Sequence, residues 1–115
     1  MSLESLLNQL NTTPESVSFQ QVIDTITETY SYEATAFTNG TVENAAGTNE
    51  GSCKIFAFAK LNSLTPEQTL HCFGDYYRVD VLQNPEGNDH GNIRNFMETG
   101  WGGVKFEGEA LAIKS

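Results

Sequence analysis

SCKIFAFAKLN, residues 52–62, is the stretch whose reading decides the fold. Its apolar residues do not alternate with polar ones, as on a half-buried strand. Nor do they leave one face polar, as on a surface helix, so the segment is surrounded by protein on all sides. A run this short suits either a central helix or a buried strand. Ser52 stands where a helix N-cap belongs, and alanines are interleaved with the phenylalanines; both features favour the helix. With a helix at the centre, the strands must come from the flanking sequence.

Upstream, ATAFTNGTVEN (34–44) supplies them: β-favouring residues flank Asn39-Gly40, a dipeptide suited to the positive dihedrals of a tight hairpin turn. AAGTNEGS (45–52) reads as loop. Earlier still, Leu3, Leu6, Leu7 and Leu10 recur at helical spacing behind Ser2, which predicts a short amphipathic helix. Ser18 opens a second helix, with Gln21 closing a capping box, Val17 opposite Val22 as a staple, and Phe19, Val22, Ile23, Ile26 and Tyr30 on one face. Downstream, Thr65, Pro66 and Gln68 form another boxed start; Leu70, Phe73 and Tyr77 share a face, Gly74 marks a break, and Asn84-Pro85 an end. Asp89 is the expected cap of the next helix, which turns Ile93, Phe96 and Met97 inward and closes on Gly100 as a left-handed cap. VKFEG (104–108) and LAIK (111–114) then read as two strands of a hairpin turned at Gly108. The sum is a single α+β domain, about five helices packed on a small, curved, mainly antiparallel sheet drawn from 34–44 and 103–114.

Charge excludes several functions. Seven of the 15 acidic residues lie between Met1 and Cys53 with no Lys or Arg among them, and all six basic residues follow. An acidic half and a net charge of -9 repel phosphate backbones and anionic lipid heads, so neither nucleic acid nor a membrane surface is an expected partner. No apolar run reaches the roughly 18 to 20 residues of a membrane span, and the N-terminus lacks the basic start of a secretory leader. Cys53 and Cys72 are too few for a disulfide framework and read as buried thiols in a reducing cytoplasm.

Four candidate chemistries remain. Zinc needs paired ligand spacing, but Cys53 stands alone, His71 and Cys72 are adjacent and His90 is remote; no metal and no cofactor are expected. Cys53 near a helix start has a reason for a lowered pKa, and with His90 it is a candidate nucleophile. GTNEGSCK (47–54) is not a Walker loop, having three residues between its glycines where four are needed, yet a turn delivering amides to a helix start beside Lys54 suits a small anion or carboxylate. Asn49, Ser52, Cys53 and Lys54 are its candidate contacts. Finally, His90, Asn92, Arg94 and Asn95 share one short helix, with His90 and Arg94 on one face. These polar groups either line a groove or serve the fold, Arg94 by binding carbonyls and His90 by facing water. Of the adjacent Tyr76 and Tyr77 one should point out, and Tyr77 is taken as the candidate; Trp101, among glycines, reads as a core anchor whose small neighbours let backbone approach.

The segments GSCKIFAFA (51–59), CFGDYYR (72–78), NPEG (84–87) with H.NIRNF (90–96), and GW.G..F (100–106) resemble the HopJ type III effector family, over roughly residues 19–110. The resemblance makes 18–115 the family core and 1–17 an N-terminal helix and turn. It implies a bacterial protein grouped with those delivered into host cells, and it carries no catalytic residue set. Asn39, Gly40, Ser52, Cys53, Lys54, Tyr77, His90, Asn92, Arg94 and Trp101 match the family's segments. The residues favour a small acidic binding module for a small polar ligand or a protein partner, in a cleft between the 47–54 loop and the His90–Arg94 helix. The alternatives are an enzyme using His90 as acid or base with Ser52 or Cys53, and a secreted effector acting on a host protein. An effector's N-terminus should be dispensable for folding, so residues 1–20 should be removable.

Overall fold

The computed structural model describes residues 3–87 and 90–113. Its elements are α1 (Leu3–Thr12), a 3-10 turn (Pro14–Ser16), α2 (Phe19–Thr29), β1 (Tyr30–Tyr32), β2 (Phe37–Asn39), β3 (Val42–Asn44) and α3 (Glu50–Leu61). They continue with α4 (Pro66–His71), a π-helix (Tyr76–Val81), α5 (Gly91–Thr99), a second 3-10 turn (Gly100–Gly103), β4 (Val104–Phe106) and β5 (Leu111–Ile113). The fold is α+β, helices packed with small antiparallel sheets around one core.

The deciding stretch is a helix. In α3 Cys53 and every residue from Ile55 to Ala59 are buried, as a segment apolar on all faces requires, and Phe56 meets the rings of Phe37, Phe73, Phe96 and Trp101. Burying each of these large side chains contributes about 1.5–3 kcal/mol relative to exposure, so α3 is the element on which the other layers close. Around it the two boxed helix starts form as read. Ser18 Oγ accepts from the Gln21 amide at 3.1 Å, and Thr65 Oγ1 from the Gln68 amide at 3.1 Å. Val17 and Val22 are both fully buried beneath the first of them.

The strands depart from expectation in their pairing. β4 does not form a hairpin with β5 at Gly108; it pairs antiparallel with β2, giving the order β3-β2-β4, while β5 pairs with β1 in a second, two-stranded sheet. The first hairpin is real but centred one residue later than read. Asn39 pairs with Val42, so Gly40-Thr41 is the two-residue turn, with φ 62 at Gly40. A positive φ at the first central position is the Gly-Xaa hairpin pattern, and a Cβ at Gly40 would meet Asn95 Oδ1 at 2.8 Å. The shift turns Asn39 from a turn residue into a strand residue facing the core.

Three helix boundaries also move. Ser52 lies inside α3, whose N-cap is Asn49 in the left-handed region (φ 48, ψ 46). α5 is preceded by His90, also left-handed (φ 50, ψ 51); the expected cap Asp89 lies outside the described residues, as does Ser2. Gly100 ends α5 at φ 59 but ψ -152, a positive-φ conformation other than the left-handed helical one expected. Met97 is 45% exposed, not inward, because Asn92 shares the buried stripe with Ile93 and Phe96 and rotates the helix away from Met97. The expected break at Gly74 exists: at φ 61 its missing Cβ lets the chain pass the Phe19 amide, which a Cβ would meet at 2.6 Å. Trp101 anchors by donating its Nε1 hydrogen to Leu64 O (3.1 Å); of its glycine neighbours, Gly103 is crowded by Thr99 and Gly40 rather than by the indole.

Candidate functional site

The starts of α3 and α5 meet at one cleft of about 270 Å³, lined by Asn49, Gly51 and Ser52 from the first helix and His90, Gly91, Asn92 and Ile93 from the second, with Phe19, Phe73 and Tyr76 as its aromatic wall. Neither N-cap side chain caps its own helix. Asn49 instead donates Nδ2 to Asn44 Oδ1 (2.6 Å), and His90 Nε2 lies 3.1 Å from Asp80 Oδ2. The first-turn amides of a helix have no intrahelical acceptor and carry the positive end of its dipole. Two such ends therefore border the same hollow.

Buried amides hold the two helix starts together. Asn44 Nδ2 donates to Asn92 Oδ1 (3.1 Å) and Asn92 Nδ2 to Asn44 Oδ1 (2.9 Å), while Asn39 Nδ2 donates to Asn92 O (2.6 Å). Asn39, Asn44 and Asn92 are all at least nine-tenths buried. The hairpin β2-β3 thus bonds the cap of α3 at Asn49 and the first turn of α5 at Asn92 through the side chains of Asn39 and Asn44. Their signal was the period-two pattern starting at Phe37, which places Asn39 on the same inward face.

Of the eight candidate residues, Asn49, Ser52, His90 and Asn92 line the cleft and Cys53, Lys54, Tyr77 and Arg94 do not. Cys53 is 1% exposed, its Sγ 3.6 Å from Thr35 O, and burial raises its thiol pKa where a helix start had suggested lowering. The reason is position. Its amide already bonds Asn49 O at 3.0 Å, so it sits past the open first turn and points into the core. Lys54 Nζ lies 4.8 Å from the Tyr32 ring centroid. Arg94 donates to the carbonyls of Asn84 (2.9 Å) and Pro85 (3.4 Å), the structural role given above as its alternative.

Tyr77 is half-buried against the His71 ring, and Tyr76 is the outward member of the pair, 45% exposed. Its ring meets Phe19 edge-on at 5.1 Å and His90 at 5.4 Å. The π-helix, whose wider turn shifts side-chain phase, decides which tyrosine turns out; nothing local in YYRVDV announces it. Asp80, on the same π-helix, was also not singled out.

The second cysteine and the other histidine lie away from this cleft. Cys72 is fully buried and its thiol pKa is pushed up to about 12 by burial. Among the described residues no three of His, Cys, Asp and Glu gather as a metal site would require. None of the described helices is long and apolar enough to cross a membrane.

A comparison with curated proteins returns no match. The crystal structure of the unknown function protein VPA0580 is similar, at 52% sequence identity and a TM-score of 0.98, over 99% of this chain and 95% of that one. Residues 3–111 match the HopJ type III effector protein family, so that α1 at one end and β5 at the other fall within the matched span. The chain that builds this cleft belongs to that family.

Proposed function

We propose that the protein is a small acidic binding module that takes a small polar ligand, through an acid group on that ligand, in the cleft between α3 and α5. One observation carries the reading: residues some 40 positions apart, Asn49 and Ser52 with His90 and Asn92, line a single hollow at which two helices begin. Amides at a helix start favour anions, and two starts facing one space add their fields. The volume, about 270 Å³, is just below the roughly 300–1,000 Å³ of drug-sized sites, which suits a metabolite-sized acid.

A thermal-shift screen of small carboxylates and phosphates tests this. A ligand at 100 times its Kd stabilises by about 2.7 kcal/mol. Ser52→Asp separates binding from folding, because a carboxylate in a first helical turn favours the helix by about 0.3–1 kcal/mol yet repels an acidic ligand. The unliganded variant should melt no earlier than the natural protein and lose the ligand-induced shift. A retained shift removes the acid-binding reading.

A second reading, an acid-base enzyme using His90, is favoured by the Asp80 carboxylate 3.1 Å from His90 Nε2, the kind of partner that orients an imidazole base, with Ser52 lining the same cleft. Cys53 drops out of it, since its thiol faces Thr35 O. Turnover of any substrate that survives His90→Gln excludes this reading. Delivery by a type III system into a host cell is the third reading and rests on the family's description; translocation of a reporter fused to the full chain tests it.

A further inference from the structure

We infer that the ligand carries a planar ring, and that Tyr76 is the platform on which the ring lies while its acid group faces the helix starts. The inference rests on the acid-binding reading above and adds the ligand's other end.

Tyr76 is anomalous among the large side chains left open to water. The others described as exposed are aliphatic, Leu61, Val79, Leu82 and Met97, whereas Tyr76 is aromatic, and it is at the cleft. It is also held in place. The edge-on contact with Phe19 (centroids 5.1 Å, planes at 84°) and the tilted contact with His90 (5.4 Å, 50°) fix the ring from two sides and still leave 45% of the residue accessible. A ring already immobilised loses little rotamer freedom when a ligand covers it, and this makes tyrosine an efficient contact. The same ring borders a second hollow of about 280 Å³, lined by Ser18, Gln20, Asp75 and Asp80. An acid seated at α3 and α5 finds carboxylates beyond Tyr76, so its uncharged part rests on the cleft's apolar wall, in which Tyr76 is exposed while Phe19, Phe73 and Ile93 are partly or fully buried.

Three probes isolate the ring: benzoate, cyclohexanecarboxylate of equal charge and similar size but without a π face, and acetate. Titrations followed by the amide NMR signals of Gly51, Ser52, Gly91 and Asn92 should show benzoate binding about two- to tenfold tighter than cyclohexanecarboxylate, the range that aromatic pairing adds beyond area burial. Tyr76→Leu should erase that ratio while leaving acetate binding unchanged, and Tyr76→Phe should keep it. Equal binding of the two cyclic acids, or a ratio unchanged in Tyr76→Leu, overturns the platform and leaves the acid site standing. Silence of those amides toward all three acids and inorganic phosphate overturns both.

Discussion

Around His71 the chain is closed. Arg78 donates to the carbonyls of Pro14 (3.3 Å) and His71 (3.2 Å) and to that of Val17, and its Nη1 lies 3.1 Å from His71 Nδ1. Around His90 the chain is open: the imidazole meets Asp80 at 3.1 Å, borders a hollow of about 270 Å³, and stands at a helix start that its own side chain does not cap. Each of the two histidines has an arginine in its neighbourhood, and each arginine binds backbone carbonyls. What differs is what the helix ends border. At His71 guanidinium and carbonyls bond one another; at His90 the first turns of two helices line a hollow.

The largest test of the closed region is removal of residues 1–20. Expected from sequence to be dispensable in an effector, this segment contains Leu6, Leu10 and Val17, all at most 1% exposed, and the Pro14 and Val17 carbonyls that Arg78 holds. Three buried aliphatics at about 1.5–3 kcal/mol each consume most of a total stability of about 5–15 kcal/mol. The truncated chain should show no cooperative thermal transition by circular dichroism. A sharp transition would mean that the closed region is not what holds this face together.

Next in size is Arg78→Ala. The substitution takes the guanidinium from three carbonyls, of which Pro14 O and His71 O keep the Val17 (3.1 Å) and Gly74 (3.0 Å) amides while Val17 O loses its side-chain donor; one buried carbonyl so stranded costs about 1–3 kcal/mol, read by urea unfolding. Arg78→Lys should recover only a fraction, because an ammonium cannot reproduce the guanidinium fork across several acceptors.

How much of this contrast was legible follows from the range of the forces involved. The boxed starts at Ser18 and Thr65 were readable because donor and acceptor lie three residues apart and need nothing else. So was the burial of Ile55 to Ala59 in α3, because that run holds no polar residue; Leu61 beyond it is 56% exposed. The convergence of the 47–54 loop and the His90 helix was readable only as a conjecture. Its builders were not: the Asn44 amide that joins the two helix starts lies 48 residues from Asn92, and the choice of β2 rather than β5 as partner of β4 is equally non-local. Tyr76 was missed in favour of Tyr77 for a third reason, since a π-helical turn changes which side chain faces out without changing the composition. Cys53 leaves the cleft through a shift of three residues in the N-cap, from Ser52 to Asn49. Once α3 begins at Glu50, the thiol passes from the open turn into the core.

Acid titration sharpens the contrast at smaller amplitude. Burial first, and the Arg78 charge second, hold the His71 pKa below its ordinary value of 6.5. In the interval between the folded and unfolded values the unfolded chain binds the extra proton, so stability rises with pH there. The contribution is complete above about pH 6.5 and is lost as pH falls through the folded value. His71→Gln should flatten the dependence of the urea midpoint on pH over this interval. If the slope persists unchanged in the variant, the proton belongs to another group and His71 is not sealed.

The smallest effect on stability belongs to His90→Asn. Asparagine tolerates the left-handed backbone that His90 adopts at φ 50 better than other non-glycine residues do, so the turn into α5 survives. The Asp80 contact of the imidazole joins two substantially exposed side chains, 29% and 46%, and exposed ion pairs contribute about 0–1 kcal/mol. The unfolding midpoint should therefore move by less than in Arg78→Ala by a factor of several. The binding readout should move more than the stability readout, because the imidazole is one of the two rings against which Tyr76 is packed: benzoate should lose its preference over cyclohexanecarboxylate in the variant. A midpoint falling as far as it does in Arg78→Ala would erase the distinction between the two regions, for it would make His90 part of the scaffold rather than of a surface held ready for a ligand.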